Sequence, residues 1–217
     1  MHLYEFRCNR KMNIHLDPVT FLENLKKYIK ALSSRNSIKV DLGLRCFEKI
    51  KGKIWIFSKS TEIEKPLIAA MLIVLGELGF NAEATIRYDL EEERKVLVFY
   101  KGLYGKLLER PFNPVSNDAK RLKIVIVSPI KTPNPEVTLD PHYWAKIFCG
   151  KSIVPMKVTN YRISLQHDGK VWLVKGTITI ELRKKSKMVL HILRALFIKG
   201  LGIETNLGYG FLRPLVN

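Results

Sequence analysis

The last eighteen residues, GLGIETNLGYGFLRPLVN, carry two glycine pairs, Gly200 with Gly202 and Gly208 with Gly210. Glycine backbones reach positive φ without a Cβ penalty and let another backbone or a phosphate come close. Just upstream, RKKSK places Arg183, Lys184, Lys185 and Lys187 between a strand end and a helix start. Four cations there, with few acids nearby, favour phosphate binding over an ordinary solvated face. A dinucleotide fingerprint would need strand, then G-x-G-x-x-G, then helix. Here Thr205 stands at the third glycine position and the order is helix, loop, strand, so that chemistry is excluded.

The whole chain supports a polyanionic partner. Its 37 Lys+Arg against 20 Asp+Glu leave a net charge of +17 over 217 residues. The excess is +6 in residues 1–110 and +11 in 111–217. A charge of this size predicts nucleic acid or an anionic membrane. A thermophile's lysine-rich surface is the bland alternative, but that habit raises glutamate too, and the second half is poor in acids. The longest apolar run, PLIAAMLIVLGELGF at 66–80, contains Glu77 and two glycines. It falls short of the roughly 20 residues a spanning helix needs, so no membrane partner is expected. Cys8, Cys46 and Cys149 are odd in number and lack C-x-x-C spacing, which predicts no disulfide framework, no metal site and a cytoplasmic location.

Elements that could position these groups are legible in the same way. LYEFRC reads as a strand, and DPVTFLENLKKYIKAL opens a helix with Asp17 as N-cap and Pro18 at the first turn. Its expected apolar stripe is Phe21, Leu25, Tyr28 and Leu32. KVDLGLRCFEKI and KIWIFSKS read as strands, 66–78 as a buried helix, and AEATIRYDL with KVLVFYKG as a hairpin across Glu91–Glu93. GKLLERPFNPVSNDAKR, with its prolines and turn formers, reads as a linker. Beyond it come the strand RLKIVIVSPI, the helix DPHYWAKIFC, two strands around an Asp168-Gly169 turn, the helix SKMVLHILRALFIKG and a closing strand. Each half thus has the order strand–helix–strand–strand–helix–strand. The fold class expected is α+β: two tandem ferredoxin-like (βαββαβ) domains with a C-terminal glycine-rich loop. The boundaries expected are 1–108, a linker at 109–120, and 121–217. Two such sheets offer a platform that suits RNA better than a small molecule.

The loop in its position after the last helix, the preceding KGTITIELRKKSKMVLHILRALFIKG and the SPI at 128–130 together resemble a known family. They are similar to the CRISPR-associated repeat-processing endoribonucleases, the sixth Cas protein family of the RAMP superfamily. The element order extends the resemblance over the chain, and about 45 C-terminal residues carry it most specifically. It implies a metal-independent endoribonuclease without cofactor that cuts CRISPR repeat RNA in precursor transcripts. In that reaction a 2′-hydroxyl attacks the neighbouring phosphate and leaves a 2′,3′-cyclic phosphate. Partners implied are the repeat RNA, other CRISPR complex subunits and a second copy in a homodimer.

The same resemblance implies the site residues. His15, between the first strand and first helix, stands where some members place their general base. Lys51 or Lys53, in FEKIKGK at 47–53, matches a lysine, with Arg45 just before the place of a histidine in other members. Tyr28 lies near a catalytic tyrosine, with Lys27 one residue off; Tyr28 equally suits the apolar face of its helix. His15 is as readily a surface histidine. Gly200, Gly202, Gly208 and Gly210 would flatten the loop so that its N–H groups, Thr205 and Asn206 face the RNA backbone. The alternative is that the glycines simply pack the loop. Lys187, His191 and Arg194 fall on one helix face, and Arg162 with Tyr161, Lys170 and Lys175 flank the hairpin turn, all placed for RNA. A catalytically inactive RAMP-family subunit that binds RNA is the alternative within the family. An RNA-binding module of translation or RNA modification is the alternative outside it.

Overall fold

The structure is a computed structural model that describes residues 1–9, 17–33, 39–48, 52–115, 120–184 and 186–215. His15, Lys51 and Lys185 lie outside the described residues, and Arg45 is described in its backbone only. The chain divides into two compact units, one of Met1–Pro111 with Asn206–Gly208, the other of Phe112–Thr205 with Tyr209–Asn217. Both are mixed α+β with an antiparallel sheet.

In the first unit the elements are β1 (His2–Cys8), α1 (Pro18–Leu32), β2 (Leu42–Glu48), β3 (Lys53–Ser58), α2 (Glu64–Glu77), β4 (Ala82–Asp89), β5 (Arg94–Tyr100) and β6 (Leu103–Pro111). The sheet order is β2-β3-β1-β4-β5-β6. Asp17 caps α1 by accepting a hydrogen bond from the Thr20 amide at 2.8 Å, and Pro18 follows at the first turn. The helix buries Phe21, Leu22, Leu25 and Ile29 against α2 and the sheet residues Tyr4, Phe6, Ile54 and Ile56.

That stripe differs from the expected one. Leu32 is 44% exposed, and Tyr28 packs only at the margin of the core. Two neighbours, Phe21 and Leu22, share the buried arc with Leu25 and Ile29, so the face is rotated by a fraction of a turn. β6 is a second correction: the segment expected as linker contributes Gly105–Pro111 to a sixth strand paired with β5. Its side chains are mostly exposed, so an edge strand of this kind leaves little hydrophobic period to read.

The second unit contains β7 (Arg121–Thr132), α3 (Pro135–Thr138), α4 (Pro141–Cys149), β8 (Met156–His167), β9 (Trp172–Leu182), α5 (Lys187–Lys199) and β10 (Leu212–Leu215). The order is β10-β7-β9-β8. Val174, Ile178, Ile180 and Leu182 alternate inward along β9 and pack with Ile124 and Ile130 of β7 and Ile192 and Leu196 of α5. Asp140 and Pro141 start α4 as Asp17 and Pro18 start α1, and Gly150 closes it at φ 64°. The Asp168-Gly169 turn forms as expected, with the Asp168 carboxylate accepting from the Val171 amide at 2.9 Å. One extra turn of helix, α3, was not visible in the hydrophobic pattern; Asn134 caps it and Pro135 begins it. Among the described residues no helix is long and apolar enough to cross a membrane.

The rotated α1 face sets a direct comparison. Leu25→Ala should cost about 2–5 kcal/mol of stability, as a buried truncation does, and Leu32→Ala about 0.5 kcal/mol or less, as a surface change does. Chemical denaturation of both variants reads the difference; equal losses would restore the expected stripe.

Candidate nucleic-acid interface

α5 begins under a cationic cluster. Ser186 caps it by accepting from the Val189 amide at 3.3 Å, and Arg183, Lys184 and Lys187 are exposed around that end. The first-turn amides add to their field, so this end attracts phosphate. His191 is half-buried one turn on. Arg194 is a correction: it is only 6% exposed, and its Nε donates to the Phe112 carbonyl at 2.8 Å. From Ile192 to Ile198 every residue of α5 is buried, so the second half of the helix has no solvent face to carry an RNA contact. On the β8–β9 hairpin, Tyr161, Arg162, Lys170 and Lys175 are all exposed.

The glycine loop shows what its spacing is for. All four glycines take positive φ: 78° at Gly200, 92° at Gly202, 97° at Gly208 and 67° at Gly210. Three of them also permit close backbone approach. A Cβ on Gly200 would lie 2.8 Å from the Gly210 carbonyl oxygen, one on Gly202 2.4 Å from that of Lys131, and one on Gly210 1.8 Å from that of Leu201. Main-chain bonds occupy the space saved. The Leu201 amide donates to Gly210 at 2.9 Å, Ile203 to Lys131 at 2.8 Å and Gly210 to Pro129 at 2.8 Å.

β7 receives the loop at its irregularity between Ile126 and Ile130. There the Phe211 amide donates to Ser128 Oγ at 2.9 Å, while the Phe211 carbonyl accepts from Val127. The SPI segment is thus the loop's dock. These bonds correct the expectation that the loop's amides face RNA: those of Leu201, Ile203 and Gly210 are committed to protein carbonyls. Exposed Glu204 and Asn206 and half-buried Thr205, Gly208 and Tyr209 form the rest of the loop. Asn206–Gly208 belong to the first unit, where Leu207 bridges to Leu44 in parallel and a Cβ on Gly43 would lie 2.9 Å from Asn206 Cα.

Of the catalytic candidates, Lys27 and Tyr28 are described and are neighbours on α1. With Asn24, Ala31 and Glu77 they line a shallow groove of about 220 Å³. The Tyr28 hydroxyl donates to Glu77 Oε1, and that bond pushes the phenol above its ordinary pKa. Held this way, Tyr28 is a weaker acid than a free phenol, and its proton points to Glu77. Lys27 is exposed beside it.

Two ionic clusters escaped the sequence reading. Glu5, only 1% exposed, accepts from Arg7 Nε at 2.6 Å and from the Tyr88 hydroxyl at 2.7 Å, and pairs with Lys53 Nζ at 2.8 Å. Burial alone would raise its carboxyl, but the Lys53 hydrogen bond and the charges of Arg7 and Lys53 outweigh that and hold it below the ordinary range. The signal was a Glu5/Arg7 pair at i, i+2 inside the strand LYEFRC, which puts both side chains on one face of it. The second cluster joins Glu64 to Arg87 and to the hydroxyls of Tyr4 and Tyr104, and Asp89 to His2 and Arg87. Asp89 is likewise held low: bonds and charges from His2 and Arg87 exceed the effect of burial. Among the described residues no group of three or more His, Cys, Asp or Glu is placed to hold a metal ion.

These geometries yield two measurable consequences. Gly210→Ala should destabilise by more than about 1–2 kcal/mol, the scale of a left-handed backbone alone, because the Leu201 carbonyl must also move. Gly169→Ala, whose φ is 89° with nothing within 4 Å, should show only the backbone part. Thermal melting compares them, and equal losses would contradict the close approach. Because Glu5 and Asp89 are held low, the stability they contribute is present above the ordinary carboxylate range and lost as pH falls through their folded values. Glu5→Gln should therefore flatten the acid limb of a stability–pH profile, and an unchanged limb would remove Glu5 from that account.

No family model and no curated protein matches the chain. Solved structures do. The Cas6 (TTHA0078) substrate mimic complex is similar at 13% identity and TM-score 0.57, covering 99% of this chain and 98% of that one. The Cas6 (TTHA0078) product complex is similar at 14% identity and TM-score 0.56, covering 99% and 100%. The product complex of Cas6 (TTHB231), a Thermus thermophilus protein, reaches 14% identity and TM-score 0.50 over 99% and 98%. The two-sheet α+β fold of this chain is thus that of Cas6 structures over nearly its whole length.

Proposed function

We propose that this protein binds CRISPR repeat RNA and cuts it as an endoribonuclease. The observation that carries the proposal is the likeness to Cas6 structures in substrate-mimic and product complexes, which spans both chains almost completely. The net charge of +17 and the exposed Arg162, Arg183, Lys184 and Lys187 agree with an RNA partner. In each unit the strand order fourth-first-third-second, counted within a βαββαβ run, supports reading both as ferredoxin-like, with β5 and β6 added to the first.

The chemistry proposed needs no metal. The 2′-oxygen at the cut site bonds to the adjacent phosphorus as its proton leaves, and the bond from phosphorus to the 5′-oxygen breaks as that oxygen gains a proton. The products are a 2′,3′-cyclic phosphate and a 5′-hydroxyl, with no water consumed. His15 is proposed to take the first proton, on its sequence position after β1. Tyr28 or Lys27 is proposed to give the second, since the Tyr28 hydroxyl is protonated and donating. Lys51 is proposed to offset charge on the phosphorane.

A labelled CRISPR repeat RNA incubated with the protein in excess EDTA tests this. The expected result is one cut that persists in EDTA, stops with a single 2′-deoxy substitution and falls by about 100-fold or more in His15→Ala, the usual scale of a lost general base. Tight binding without a cut would instead favour the inactive RNA-binding subunit. Absence of salt-dependent RNA affinity would overturn both readings.

A further inference from the structure

The glycine loop holds one acid. Glu204 is the only acidic residue from Gly200 to the C-terminus, in a half-chain with just six. It has φ 55°, a left-handed conformation that non-glycine residues rarely adopt. Its carboxylate meets Lys131 Nζ through both oxygens, at 2.9 Å each. Lys131 Nζ also sits 5.4 Å from the centre of the Tyr209 ring. A cation, an aromatic face and a carboxylate therefore converge where the loop meets β7.

Fastening the loop does not require this pair. The Lys131 carbonyl already accepts from Ile203, and Gly210 is bonded to Pro129, so the main chain fixes the loop on both sides of Glu204. The carboxylate is 42% exposed and the Lys131 side chain 20%, and an ion pair so open to water adds little stability. What the carboxylate does change is the vacancy of the ammonium. Its two oxygens take the positions in which the non-bridging oxygens of a phosphodiester would meet Lys131, and the adjoining Tyr209 ring is a surface on which a base stacks.

We propose that Lys131 and Tyr209 form a subsite for an RNA phosphate and its base, which the Glu204 carboxylate fills until RNA displaces it. The inference rests on the RNA-binding reading above and adds to it an internal competitor. Glu204 lowers affinity for any single-stranded RNA, and the phosphate must replace both carboxylate contacts.

Fluorescence anisotropy with a labelled oligouridylate tests it on the full chain, comparing wild type, Glu204→Gln, Lys131→Ala, the double variant and Tyr209→Leu. Glu204→Gln should bind roughly three- to tenfold tighter and with a steeper salt dependence, as one more cation becomes open to phosphate. Lys131→Ala and Tyr209→Leu should bind more weakly. In the Lys131→Ala background, Glu204→Gln should gain less than about twofold, since only the general field of one acid is then removed. Equal or weaker binding by Glu204→Gln, with wild type binding well, would make the pair a staple and overturn the inference alone. An equal gain with and without Lys131 would also overturn it. Wild type that binds no RNA would overturn the reading beneath it.

Discussion

The close approach of the C-terminal loop to β7 is the constraint on which the second unit depends. A Cβ on Gly202 would lie 2.4 Å from the Lys131 carbonyl oxygen of β7, and one on Gly210 1.8 Å from that of Leu201 across the loop itself, so no side chain fits at either place. Glycine, having no Cβ, meets both demands at 200, 202 and 210, the left-handed backbone and the close approach. Because the loop closes this tightly, α5 hands the chain directly to β10 at the sheet edge beside β7. The irregularity of β7 at Ser128-Pro129 is the matching half of the device: it turns a hydroxyl and a carbonyl toward the loop instead of toward a neighbouring strand.

Main-chain bonds to protein carbonyls hold the flanks of the loop. The amides of Gly200, Leu201, Ile203 and Gly210 satisfy protein carbonyls, as buried backbone must. Between them Glu204 and Asn206 are exposed, while Leu207 packs against the core of the first unit. Of the two roles weighed for the glycines from sequence, packing is the one that these distances and bonds carry.

How much of this the sequence disclosed depended on the kind of signal. Local stereochemistry read well. Asp-Pro helix starts at Asp17 and Asp140, the Asp168-Gly169 turn and the glycine spacing all follow from backbone rules that act within a few residues. Tertiary burial read poorly. Arg194 lies on the polar side by spacing, yet α5 is enclosed all round at that level and the guanidinium takes a backbone carbonyl. β6 failed because an exposed edge strand has no inward face to impose alternation. Glu5, which draws Lys53 and Tyr88 from other strands, became visible only once β1, β3 and β4 were side by side. Of the residues assigned to catalysis, Lys27 and Tyr28 gained a definite setting, with the Tyr28 hydroxyl donating to Glu77.

Amide hydrogen exchange on the loop, with and without RNA, decides whether its bonded amides serve packing. Leu201, Ile203 and Gly210 should be protected in the free protein and change little on adding RNA, while protection rises across 204–209. Free exchange at Leu201, Ile203 and Gly210 that slows only when RNA binds would contradict it, and would return the loop's amides to the RNA.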